Sequence, residues 1–204
     1  AFLEWHVISD AVEHLSHSKL LLHAGALSKA GTGLLLPAVS GSGKSTLTLA
    51  LLGEGFLLCS DELACIDPYT LELSPFPRNP CIKGDTLEIL RPYLPWVGAA
   101  VTSAELLGRK VRYISVPTEA WASSPVRVTS LVVPQYTPGS RPALESVSRS
   151  EVIALLLAQS FTVRALGERG VSATVELLRG VDCYRLQYSD LRDAVALIRL
   201  ICGG

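Results

Sequence analysis

The sequence predicts an α/β chain with a mixed sheet, and three observations carry that expectation. Apolar runs of strand length alternate with helical stretches along the chain. A hairpin near the start requires some antiparallel pairing. A Gly- and Ser-rich heptapeptide, Ser40-Gly41-Ser42-Gly43-Lys44-Ser45-Thr46, joins an apolar run to a helical one. No internal repeat and no low-complexity tract interrupts the pattern, so residues 1–204 read as one domain.

The elements follow in order. Lys19 to Leu27 is apolar and extended, Ala30-Gly31-Thr32-Gly33 is a turn signal, and Leu34 to Val39 returns as a second apolar run. After the heptapeptide, Leu47 to Leu52 reads as a helix, stopped by Gly53 and Gly55. Phe56 to Cys59 is a buried-strand candidate leading into Ser60-Asp61-Glu62. Leu63 to Leu73 reads as a hairpin turning at Asp67-Pro68-Tyr69-Thr70. Residues 68–95 are Pro-rich and read as irregular, apart from a short helix over Thr86–Arg91. Val111–Val116 and Val126–Val133 read as strands. Ser148 with Glu151 forms a capping box ahead of an apolar run. Val171–Arg179 is a helix stopped by Gly180, Tyr184–Tyr188 a strand, and Asp190–Ile201 an amphipathic helix.

Composition excludes several classes. Hydrophobic residues make up 49% of 204 and charged residues 18%, which is too apolar for a disordered chain. A chain of this length buries roughly 70% of its unfolded surface and needs no staples. With 18 Lys+Arg against 19 Asp+Glu, there is no basic excess for a nucleic-acid backbone. The longest unbroken apolar run, Val152–Ala158, is far short of the ~20 residues of a membrane span. No signal or lipidation motif stands at Ala1 or Gly204, which leads us to expect a cytoplasmic protein; the lack of any Met points to a start that is missing or processed. The five Cys, at 59, 65, 81, 183 and 202, include no Cys-x-x-Cys pair and read as reduced core residues.

The heptapeptide carries the chemistry. Gly41 and Gly43 let backbone N–H groups turn inward around a phosphate. The helix that follows adds a partial positive charge and unpaired donors. Lys44 reaches the outer phosphates, and the Ser45 hydroxyl suits Mg²⁺. Ser40, Gly41, Ser42, Gly43, Lys44, Ser45 and Thr46 are therefore the candidate nucleotide-binding residues. Ala38 stands where the strict phosphate-loop pattern has Gly.

Asp61 and Glu62 follow the very next strand, Asp61 17 residues after Lys44. An acid that early is typical of compact kinases, where it faces the acceptor hydroxyl or the metal. Ser45, Asp61 and Glu62 are the candidate metal ligands. Hairpin arithmetic, with the turn near Gly31-Thr32, sets the partner of His23 near Ser40, so His23 is a candidate phosphate contact or partner of Asp61. His6, His14 and His17 read as surface. Arg78 and Lys83 are candidate phosphate or substrate contacts in the Pro-rich stretch.

Together these residues resemble the catalytic domain of bacterial HPr kinase/phosphorylase, in which a His precedes the phosphate loop and an Asp pair follows it. The likeness is closer to a branch of HPr-kinase-related proteins that includes kinases of lasso-peptide precursors. It rests on Leu22-His23-Ala24, Ser40–Leu47, Ser60-Asp61-Glu62-Leu63 and Pro75-Phe76-Pro77-Arg78 running to Lys83, and extends loosely to Tyr184-Arg185-Leu186 and the last helix. The resemblance implies a fold like phosphoenolpyruvate carboxykinase. It also implies an ATP- and Mg²⁺-dependent serine kinase acting on a peptide or small protein, with Asp61, His23 and Lys44 as catalytic residues. The HPr enzymes form hexamers, so a homo-oligomer is compatible with it. Thr46 and Glu62 depart from the Glu and the second Asp of the HPr enzyme, and its phosphorylase-linked Gly-rich segment has no match here. A small-molecule kinase and a nucleotide-dependent regulatory ATPase remain open on the residues alone.

Overall fold

The computed structural model describes residues 2–39, 41–99, 101–106 and 109–203. Helix α1 (Phe2–Leu15) leads into β1 (Leu20–Lys29) and β2 (Thr32–Pro37). The loop after β2 feeds α2 (Lys44–Leu52), followed by β3 (Leu57–Ser60), β4 (Leu63–Ile66) and β5 (Glu72–Ser74). A side unit follows: β6 (Cys81–Lys83), α3 (Thr86–Leu90), β7 (Val101–Leu106) and β8 (Arg109–Ile114). The chain then returns through β9 (Val126–Tyr136), β10 (Ala143–Ser146), α4 (Arg149–Ala158), α5 (Val163–Leu166), α6 (Glu168–Arg179), β11 (Asp182–Tyr188) and α7 (Leu191–Cys202).

The main sheet runs β10-β11-β9-β2-β1-β4-β5, with β3 also paired to β1. β5 pairs β9 as well, so β9-β2-β1-β4-β5 closes on itself. β2 and β3 are both antiparallel to β1, and β9 and β11 are parallel to β2. The carboxyl ends of β2, β3, β9 and β11 therefore gather at one end of the sheet. β6, β8 and β7 form a separate three-stranded sheet.

Side-chain alternation explains the layers. Leu34 and Leu36 enter one core with Leu47, Leu51, Leu90 and Ile198, while Leu35 enters another with Leu131, Val152, Leu156 and Leu177. The sheet thus carries α2, α3 and α7 on one face and α4 and α6 on the other. Covering both faces is why its strands read as continuous apolar runs rather than alternating ones. α2 packs close to β1 because Gly25 has no Cβ; one there would collide with Thr48 Oγ1.

Most expected elements are present, with shifted ends. The N-cap half of the expected capping box forms, the Ser148 hydroxyl accepting the Glu151 N–H at 3.4 Å, while the Glu151 carboxylate pairs with Arg185 instead. The turn at 67–70 is held by Asp67 Oδ1, which accepts the N–H groups of Tyr69 and Thr70 at 2.9 and 3.0 Å. Three expectations need correction. Residues 68–95 contain β6 as well as the short helix, and β5, the second arm of the expected hairpin, runs on to Ser74. α1 occupies a stretch to which the sequence reading assigned no element; its Ala11, Val12 and Leu15 pack on Leu21, Leu63 and Cys65.

The third correction concerns the hairpin register. The turn is Ala30-Gly31, both at positive φ (50° and 80°), so Lys29 pairs Thr32 and the ladder ends at Ala24↔Pro37. Continued, that register would set His23 against Ala38; Ser40 lies outside the described residues. Beyond Ala24, β2 leaves the sheet to form the loop, and residues 159–162 take its place beside β1. Gln159 O accepts the His23 N–H at 2.8 Å, and Leu21 O accepts the Phe161 N–H at 2.9 Å. The buried Thr162 hydroxyl accepts the Leu21 N–H and donates to Lys19 O. His14 and His17 are exposed as expected; the His6 side chain lies outside the described residues.

Candidate functional site

The loop from β2 to α2 bends sharply. Gly41 has φ 87°, and Gly43, at the helix N-cap, has φ 84°. Neither is a conformation that a side-chain-bearing residue adopts at low cost. No side chain caps α2, no acidic residue occupies its first turn, and the first intrahelical bond runs from the Leu47 N–H to Gly43 O. The amides at the start of α2 are thus left as donors, with the positive end of the helix behind them. The Ser42 N–H donates to Val39 O at 3.3 Å, and Ser42 O accepts the Tyr136 N–H at 3.2 Å, tying the loop to β9.

Lys44 opens α2 and is 8% exposed, and its Nζ has no hydrogen-bond partner. Burial pushes its pKa down to about 8, against the opposing pull of Glu62 and Asp61; Arg78 lowers it further. A buried ammonium with no partner is costly, and an anion in the loop would remove that cost.

Asp61 follows β3 and is 3% exposed. Ser60 shapes the turn that presents it: the Ser60 hydroxyl accepts the Leu63 N–H at 3.0 Å and the Glu62 N–H at 3.4 Å. Phe76 N–H donates to Cys59 O at 2.8 Å, laying the Pro75–Arg78 stretch along β3. Arg78 consequently reaches both acids. Its Nη2 stands 3.6 Å from Asp61 Oδ1, too long for a hydrogen bond, and forms an ion pair with Glu62. Asp61 Oδ1 has no hydrogen-bond partner. Burial raises the Asp61 carboxyl to about 6, with Arg78 opposing, Glu62 adding and Lys44 opposing.

His23 is half-buried at the end of the β1–β2 ladder, in register with Leu63 of β4. Its Nδ1 donates to Gln159 Oε1 at 2.9 Å, leaving Nε2 as an acceptor, and its ring meets Phe161 edge-on with centroids 6.1 Å apart. Burial and then the charge of Lys44 lower its pKa, against the Gln159 hydrogen bond and Glu62.

The structure thus brings Lys44, Asp61, Glu62, Arg78 and His23 to one edge of the sheet, with Gly41–Thr46 beside them. Ser45 and Thr46 are half-buried in the first turn of α2. Lys83 ends β6 in the second sheet and is exposed. Sequence reasoning missed Gln159, Phe161, Tyr136 and Tyr188. Tyr136 and Tyr188 are paired at the ends of β9 and β11, and a Cβ on Gly43 would collide with the Tyr188 hydroxyl.

A mixed α/β fold with a glycine-rich strand–loop–helix and an acidic pair after a strand that runs parallel to β2 on the far side of β1 is the class that fold and site define. Among solved structures, the chain is similar to the HPr(Ser) kinase/phosphatase from Coxiella burnetii. The TM-score is 0.40 and the identity 14%, over 90% of this chain and 99% of that one. No protein-family model matches, and no curated protein does. No described helix is long and apolar enough to cross a membrane.

Proposed function

We propose that this chain is an ATP-dependent phosphotransferase that moves the γ-phosphoryl group to a serine-type hydroxyl of a peptide or small protein, in the cytoplasm. The observation that carries the reading is the buried, unpartnered Lys44 ammonium at an uncapped helix N-terminus, beside a buried carboxylate. Such a cradle favours a polyphosphate and gives little to a neutral ligand. The motif resemblance supports the peptide acceptor, with precursors of modified peptides such as lasso peptides as the first candidates.

In this reading the free amides at the start of α2, from Gly43 to Thr46, and the Lys44 ammonium hold the phosphates and stabilise charge on the transferring group. Asp61 accepts the proton of the attacking hydroxyl. That oxygen forms a bond to phosphorus, the bond from phosphorus to the β–γ bridging oxygen breaks, and ADP leaves. A carboxyl near 6 suits this task, being ionised at pH 7 yet more basic than an ordinary Asp. Arg78 holds Glu62 and keeps Asp61 from rising further. His23, its Nδ1 fixed by Gln159, is the third catalytic candidate, beside Asp61 and the terminal phosphate.

The donors also fit magnesium. Among the described residues no group of three or more His, Cys, Asp or Glu could hold a metal alone. The Ser45 hydroxyl and Asp61 Oδ1, which accepts no hydrogen bond, suit a cation that takes its other ligands from phosphates and water, with Glu62 near by. When bound, that ion neutralises phosphate charge.

The test is incubation with γ-labelled ATP and three acceptor sets: serine-containing peptides, small metabolites, and none. Label on a peptide supports the reading. Label only on metabolites, or free phosphate alone, replaces it with a small-molecule kinase or an acceptor-less ATPase.

A further inference from the structure

The glycine-rich loop has two unlike flanks. On the β1 side stand Asp61, Glu62, Arg78 and His23. On the β9 side stand two aromatic rings, Tyr136 and Tyr188, in register at the ends of parallel strands. Tyr188 is 3% exposed and its hydroxyl abuts Gly43. Tyr136 packs edge-on against it, with centroids 5.7 Å apart and planes at 62°.

Tyr136 is fixed to the loop in three ways. Its N–H donates to Ser42 O at 3.2 Å. Its Cβ lies 3.4 Å from where a Cβ on Gly43 would stand. Tyr188 braces its ring. Yet the residue is 48% exposed. A large ring so firmly held and still half in water has lost its freedom without completing its burial, and a second ring laid on it would complete that burial.

A polyphosphate in the loop has two ends. If its terminal group faces Asp61, its other end emerges on the opposite flank, beside Tyr136. We infer that Tyr136 is the nucleobase platform of this site, stacking the ring of a nucleotide whose phosphates lie against Gly41–Thr46. The inference rests on the nucleotide reading above and adds the side on which the nucleoside lies. Stacking is tolerant of base identity, because every base has a π-face, so adenine and guanine nucleotides bind alike.

The test compares two ligands on three proteins: ADP and inorganic tripolyphosphate, titrated calorimetrically into wild type, Tyr136→Ala and Tyr136→Phe. Loss of a stacked aromatic corresponds to roughly 5- to 150-fold in affinity. We expect Tyr136→Ala to weaken ADP by about ten-fold and leave tripolyphosphate unchanged, with Tyr136→Phe like wild type for both. Unaltered ADP affinity in Tyr136→Ala overturns the platform. Equal weakening of both ligands also overturns it, because Tyr136 would then only shape the loop. Tripolyphosphate binding in wild type keeps the phosphate reading standing when the platform fails. Wild type that binds neither ligand removes both.

Discussion

Phosphate binding at Lys44 should draw a proton from solution, and the amount can be worked from the structure. Burial holds this ammonium at about 8, some 2.5 units below its ordinary 10.5, which corresponds to roughly 3 kcal/mol against the charged form. At pH 8 about half of the unliganded molecules carry the charge. Polyphosphate beside Nζ restores the charged form, so ADP should take up about 0.5 proton at pH 8 through this group and only about 0.1 at pH 7. Asp61, near 6, also takes up protons when an anion arrives, but mainly nearer pH 7. The measurement is titration calorimetry at pH 8 in buffers of different ionisation enthalpy, whose slope gives the protons taken up. Lys44→Arg is the control, because a guanidinium is charged throughout and should flatten the slope. A flat slope in wild type, or the same slope in Lys44→Arg, would refute the reasoning.

Three further outcomes follow from the same site. The rate of transfer from free enzyme and substrate should rise with pH through about 6 as Asp61 ionises and fall above about 8 as Lys44 loses its proton; Arg78→Gln, which removes a group that lowers the Asp61 carboxyl, should move the acid limb upward. Asp61→Asn should abolish transfer and yet stabilise the unliganded protein at pH 7.5 by about 3 kcal/mol in urea melts: a carboxyl raised to about 6 contributes stability below 3.8 and loses it as pH rises through 6. Equal stability of Asp61→Asn and wild type at pH 7.5 would contradict this. Gly43→Ala should cost about 1–2 kcal/mol for its positive φ alone and, by forcing Tyr188 away, weaken ADP and tripolyphosphate together.

Local patterns made much of this molecule legible in its sequence. The capping box at Ser148, the Asp67 turn and the strand–loop–helix around Gly43 depend on residues close in the chain, and those are the parts that sequence reading places well. The spacing of Leu3, Val7, Ala11 and Leu15 also carried a helical signal that went unused. The neighbour of His23 was not legible. It depends on how far β2 stays in the sheet and on which distant segment fills the edge that β2 leaves, and Gln159 is 136 residues away. The approach of Tyr136 and Tyr188 to Gly43 likewise arises from strand order, which no single run of residues encodes.

The substitute strand beside the amino-terminal half of β1 has a consequence of its own. One hydroxyl, that of Thr162, does there what a peptide unit does elsewhere in a ladder, accepting a hydrogen bond from one residue and donating one to another. A valine of the same shape would unfasten both links without leaving a hole. Loosening would then travel three residues back to the amide that grips the imidazole, so damage at a position with no ligand near it would surface as a chemical defect.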